Sequence, residues 1–150
     1  MTMKIARTED WSRIASFLEK ANLSVKDVDH SKTFFTFIEN TQNEIVATLG
    51  IEKVAHIGIL RSLAISKEVT EQDLLLLFKH MFKIGNEHGI EAIYLASNKQ
   101  SSRAFFNMLG FKEEDKGDLP TELIESAHVK HILTVDNSFF MKLPFDNVDK

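Results

Sequence analysis

A chain of 150 residues suits one domain, here 1–150, and is long enough to bury most of its unfolded surface around a single core. A formal charge of −4, with acids and bases interspersed, argues against a nucleic-acid-binding surface, and the absence of cysteine excludes disulfides, thiol nucleophiles and cysteine–zinc sites. The apolar run 74–78 is too short to cross a bilayer and residues 1–10 are too polar for a signal peptide, so the expectation is a cytoplasmic protein with neither a membrane nor a nucleic acid as partner.

In chain order, residues 4–7 read as a short strand. Asp10 then caps a helix to Lys20, with Trp11, Ile14, Ala15, Phe17 and Leu18 at helical spacing. The stretch 22–32 is polar, with one further helical turn expected at 25–28. Strands follow at 33–39 and 44–52, rich in Phe, Thr, Ile and Val, and the polar residues 40–43 between them predict a hairpin. A fourth strand covers 56–66. A helix over 73–87 stops at Gly89; its run Leu74, Leu75, Leu76, Leu77, Phe78 covers most of the helix circumference, which fits a buried helix or an apolar face for a partner such as a second copy in a homodimer. A fifth strand at 91–97 is of the buried type. The helix 101–109 closes on Gly110 and leads into a strand at 111–114. Pro120 opens a short helix to 127, the last strand is 139–143, and 145–150 reads as a loose tail. Strands and helices alternate irregularly, so the fold class is α/β of the mixed α+β kind.

Two segments carry a resemblance to a known family. One is Leu60, Arg61, Ser62, Leu63, Ala64, Ile65, a strand that leads through a turn into a helix; the other is Ala104 to Phe111, a helix ending in Gly110-Phe111. Together with the element order over residues 3–143, they resemble the GNAT superfamily of N-acetyltransferases. The pair Phe105-Phe106, the strand Gly50-Ile51-Glu52 and the segment 119–124 are similar to its small arsenic-resistance-associated branch. The resemblance implies the GNAT fold, with a mixed, mostly antiparallel central sheet of about six to seven strands flanked by helices. It also implies acetyl-CoA as cosubstrate and transfer of its acetyl group to a small-molecule amine.

For the cofactor, the resemblance implies a slot between the fourth and fifth strands, with Leu63, Ala64 and Ile65 on one wall and residues 94–97 on the other, where the pantetheine arm pairs with strand backbone. It further implies cofactor contacts from Asn98, Ser102 and Phe105, and a pyrophosphate held at Thr70, Glu71, Gln72, Asp73, Leu74 and Leu75. In the family that turn is rich in glycine, whose backbone lets successive N–H groups converge on a phosphate. Residues 67–75 contain no glycine here, and Glu71 and Asp73 place two carboxylates at the helix start, where acids also stabilise a helix that meets no anion.

Proton handling has few candidates. Many relatives carry a Tyr at the position of Phe106 to protonate the departing thiolate, which Phe cannot do. The sole Tyr, Tyr94, lies in the fifth strand and reads as packed. Glu52 is the candidate general base at the end of the third strand; its position alone favours an exposed strand-end charge. Arg61, read with the strand parity of Leu63 and Ile65, needs a partner if buried; Glu52 is one, and an acidic acceptor is another. His30 follows Asp29 on the expected acceptor side. His128 and His131 have metal-like spacing, but with no adjacent carboxylate motif and no Cys no metal site is expected. Two functions stay open on these residues: an acetyl-CoA-dependent N-acetyltransferase, and a catalytically degenerate GNAT-fold module that binds another ligand or a protein.

Overall fold

The computed structural model describes residues 1–26, 28–134 and 137–145. Its strands are β1 (Thr2–Ile5), β2 (Thr33–Glu39), β3 (Ile45–Val54), β4 (Ile57–Ile65), β5 (Ala92–Ser97), β6 (Lys112–Glu114) and β7 (Phe139–Pro144). Its helices are α1 (Trp11–Lys20), α2 (Glu71–Glu87), α3 (Arg103–Leu109), α4 (Thr121–Ile124) and α5 (Ala127–Leu133). The strands form one seven-stranded sheet in the order β1-β2-β3-β4-β5-β7-β6. Only the central β4–β5 pair is parallel; the others described are antiparallel. The expected mixed, mostly antiparallel sheet is what the chain forms.

Helices cover both faces. On one, Leu77, Phe78, Met81 and Ile84 of α2 and Phe106 of α3 pack on Leu49, Ile51, Leu60, Ile93, Leu95 and Met141. The opposite face is divided: Ile14 and Leu18 of α1 sit on Phe35 and Phe37, while Leu123 and Val129 of α4 and α5 sit on Ile57, Ile59, Tyr94 and Phe140. The apolar run of α2 is mostly core: Leu77 and Phe78 are buried, Leu74 and Leu75 half-buried, and only Leu76 stands out at 48% exposure. Gly58 lies in the short β4–β5 pairing, where an added Cβ would meet Ile51 Cδ1 at 2.7 Å. Gly110 ends α3 at φ +107°, a conformation that side chains with a Cβ resist.

Several boundaries differ from the sequence expectation. The first strand lies two residues earlier, since residues 8–10 turn as a short 3-10 helix before α1. Val25 and Val28 pack against the α1 cluster without a helical turn, and Asp27 lies outside the described residues. The helix expected at 120–127 is two helices, because Ser126 is extended at φ −64°, ψ 135°. Phe145, read as part of a tail, is buried at 6% exposure against Phe82, its amide bonded to the Glu91 carbonyl; the rest of that expected tail lies outside the described residues. No helix among the described residues is long and apolar enough to cross a membrane.

Candidate functional site

The site is built where the sheet comes apart. Strands β4 and β5 pair through Ile57↔Ala92, Gly58↔Ile93 and Ile59↔Tyr94 and then diverge. Beyond Tyr94, β5 stays tied to β7 from Leu95↔Met141 to Ser97↔Phe139, so the gap opens on the β4 side alone. A cavity of about 670 Å³ fills the divergence. Its walls are Leu60 to Ile65 of β4 and Leu95 to Ser97 of β5, closed at the back by Leu74 and Phe78 of α2 and Phe105 and Phe106 of α3. The three phenylalanines pack edge to face, with centroids 5.7 Å (Phe78–Phe105), 6.0 Å (Phe78–Phe106) and 5.9 Å (Phe105–Phe106) apart. Such a wall is stiff and apolar.

A bulge shapes the β4 wall. The register passes from Gly50↔Arg61 to Thr48↔Ala64, leaving Ser62 and Leu63 opposite one residue of β3. Ser62 takes the left-handed conformation at φ 58°, unusual for a residue with a side chain. The buried Thr48 hydroxyl donates to the Ser62 carbonyl at 2.9 Å and holds the bulge. The extra residue resets the alternation of side chains: Leu60 and Leu63 both face α2, while Ala64 joins the α1 cluster. Arg61 therefore does not share the parity of Leu63, contrary to the sequence expectation. Neither strained Ser62 nor Thr48 is a candidate in the sequence, where a bulge at a residue other than Gly leaves no mark.

Arg61 lies instead on the face of Ile59. Its Nη1 donates to Glu52 Oε1 at 3.1 Å, a diagonal contact between neighbouring strands. Both groups are withdrawn from water, Arg61 at 5% and Glu52 at 9% exposure, so the pair satisfies two charges that neither could carry alone there. Arg61 lines the cavity, and Glu52 is one layer removed from it.

At the start of α2 a different closure operates. Thr70 is the N-cap: its hydroxyl accepts from the Asp73 amide at 3.1 Å, and Asp73 Oδ2 accepts from the Thr70 amide at 3.1 Å. The Thr70 carbonyl takes the Leu74 amide. This capping box uses the Thr70 and Asp73 N–H groups, two of the donors that a bound anion would draw on. The hydrogen bonds from Thr70, that of its backbone first, hold the Asp73 carboxyl below its ordinary value.

Of the residues singled out in the sequence, the cavity gathers Arg61, Leu63, Ala64, Ile65, Leu74, Asn98, Ser102 and Phe105. Its lining passes from Ile65 directly to Leu74, so Thr70, Glu71, Gln72 and Asp73 stand outside it, as does Leu75. His30 is exposed and rests edge-on against Trp11 at 4.4 Å, away from the cavity. Phe106 and Tyr94 are buried core residues. Among the described residues no group of acids and histidines is arranged to hold a metal ion, and the His128 side chain lies outside them.

Comparison with known proteins places this geometry. No protein-family model matches the chain. A Bacillus subtilis (strain 168) protein, the uncharacterized protein YwlB, is 31% identical over 141 residues, which cover 93% of this chain and 95% of that one. An acetyltransferase of the GNAT family from Staphylococcus aureus Mu50 superposes with a TM-score of 0.73 at 17% identity, over 97% of this chain and 100% of that chain. The N-acetylglutamate synthase of Neisseria gonorrhoeae, complexed with coenzyme A and N-acetyl-glutamate, superposes with a TM-score of 0.71 at 18% identity, over 96% of this chain and 35% of that longer chain. Identities this low carry the fold, which is that of the GNAT proteins.

Proposed function

This chain belongs to the family of the Bacillus subtilis protein YwlB, and from its own geometry we propose that it is an N-acyltransferase, moving an acetyl group from acetyl-CoA to a small amine. The observation that carries this reading is the splayed β4–β5 seam, where among the described residues no strand pairs with the cavity-facing backbone edge from Leu60 to Ile65. An extended amide-bearing arm fits such an edge as an added strand would. That the coenzyme A complex of the gonococcal synthase shares the fold supports the choice of donor.

The chemistry asked of the protein is modest. The amine lone pair attacks the thioester carbonyl carbon, a C–N bond forms, and the C–S bond breaks with the electron pair leaving on sulfur. The proton shed by nitrogen ends on the thiolate, directly or through water, giving an amide and a free thiol. Orientation in the cavity supplies much of the rate. Backbone N–H groups along the bulged edge polarise the carbonyl oxygen, and the Thr48 hydroxyl fixes that edge. Glu52 is the candidate base; it stands one layer behind the cavity and accepts from Arg61, so it would take the amine proton through a bridging water while the guanidinium stays protonated.

A second reading, a binding module without chemistry, is favoured by the capped start of α2. Thermal unfolding with and without millimolar acetyl-CoA separates the two. A ligand at a hundredfold excess over its dissociation constant adds about 2.7 kcal/mol, on the order of 5–10 °C for a domain of this size. That shift, followed by release of free thiol on adding an amine, is the expected result. A cooperative transition that acetyl-CoA leaves in place rules out the transferase.

A further inference from the structure

We infer that the acyl donor is recognised through its pantetheine arm alone, so that thioesters lacking the adenine nucleotide serve this chain as well as those of coenzyme A. The inference rests on the transferase reading and adds to it the part of the donor that binding requires.

Three observations converge. First, the cavity runs along β4 to Ile65 and resumes at Leu74, so the first turn of α2 takes no part in it. Second, that turn is capped from within: the amides of Thr70 and Asp73 donate to Asp73 Oδ2 and Thr70 Oγ1, which takes two of the donors an anion there would use. A diphosphate there would have to displace the cap and then face Glu71 and an Asp73 carboxylate held ionised by its own hydrogen bonds. Third, the cavity itself has an unmet polar group. Ser138, at 8% exposure, lines it beside β7, and its hydroxyl has no hydrogen-bond partner among the described residues. A buried hydroxyl left so is costly unless a ligand completes it, and the arm's amides and hydroxyl are suited to do so. Ser62, Ser97, Asn98 and Ser102 add neutral polar groups to the same walls, where the charged residues among those described are Arg61, paired with Glu52, and the exposed Lys99. The cavity offers polar partners to an amide-bearing chain, while the cap and the carboxylates of Glu71 and Asp73 oppose a phosphate at the neighbouring helix start.

Calorimetric titration of the unmodified protein with coenzyme A, with pantetheine and with adenosine 3′,5′-diphosphate tests this without knowledge of the acceptor. Coenzyme A and pantetheine are expected to bind with dissociation constants within about threefold of each other, and the nucleotide alone to give no heat and no competition. Coenzyme A binding more than about tenfold tighter than pantetheine, or competition by the nucleotide, overturns the inference and leaves the transferase reading intact. Binding of neither thiol overturns both. Two variants add independent readouts. Ser138→Ala is expected to weaken both thiols by the same factor, and unequal losses count against the inference. Glu71→Gly with Asp73→Gly is expected to improve coenzyme A alone; equal gains for pantetheine count against it.

Discussion

Two threonine hydroxyls hold the two ends of one strand–turn–helix, and they act on the backbone in opposite senses. Thr48 donates to the carbonyl of Ser62, and thereby holds β4 in a bulge whose outer edge stays available to a ligand. Thr70 accepts from the amide of Asp73, and thereby consumes a donor that a ligand would have used. The same side chain opens a site when it loads a carbonyl on the far side of a strand and closes one when it loads an N–H at a helix start. The contrast teaches that the slot and the turn of a GNAT fold are separable: one is built of backbone pairing, which tolerates any side chain, and the other depends on which residues leave their amides free.

Breaking the open side should cost most. Arg61→Met leaves the Glu52 carboxylate buried without the guanidinium, and urea denaturation is expected to show a loss of about 3–5 kcal/mol. Adding Glu52→Gln should return part of that loss, since no unpaired charge remains. Thr48→Val removes the lock alone. The Ser62 carbonyl then lacks its donor at a strained position, with an expected loss of about 1–3 kcal/mol and a weaker affinity for coenzyme A; Thr48→Ser should restore both.

The closed side is the smaller effect. Thr70→Ala is expected to lower stability by about 1 kcal/mol, the ordinary worth of an N-cap, a shift of about 2–4 °C by differential scanning calorimetry. Its partner adds a pH signature. Because the Asp73 carboxyl is depressed in the folded state from its ordinary value of 3.8, its contribution is present above that value and is lost as the pH falls through the folded one. The stability gap between the unmodified protein and Asp73→Asn should therefore be widest at neutral pH and close on acidification; a gap that widens in acid would contradict the capping geometry.

Much of the architecture was legible in the sequence, because hydrophobic periodicity and Gly110 report directly on strands and helix ends. The cavity wall on β4 was legible through the run Leu60 to Ile65, which reads as a strand whatever its neighbours. The start of α2 was misplaced by two residues, although Thr70-x-x-Asp73 is itself a cap signature; a template that expects glycines there hides it. The bulge was not legible. A left-handed Ser62 depends on Thr48 across the sheet, a contact between strands that no local pattern reports. For the same reason the sequence puts Arg61 on the wrong face, and leaves its pairing with Glu52 as one of two alternatives beside an acidic acceptor.

The short parallel seam has a consequence for how the chain is made. Strands β2 to β4 are neighbours in sequence and in space, so their pairings close short loops and can form as synthesis proceeds. Strand β5 has a different history. It meets β4 through three residue pairs, and its other edge is filled by β7, which is made only after α3, β6, α4 and α5. Until β7 arrives, the edge of β5 that faces away from the cavity is an unpaired strand edge on a nascent chain, the kind of surface on which strands of other molecules add. The strand that walls the cavity in the finished protein is thus the part of it most in need of protection at birth.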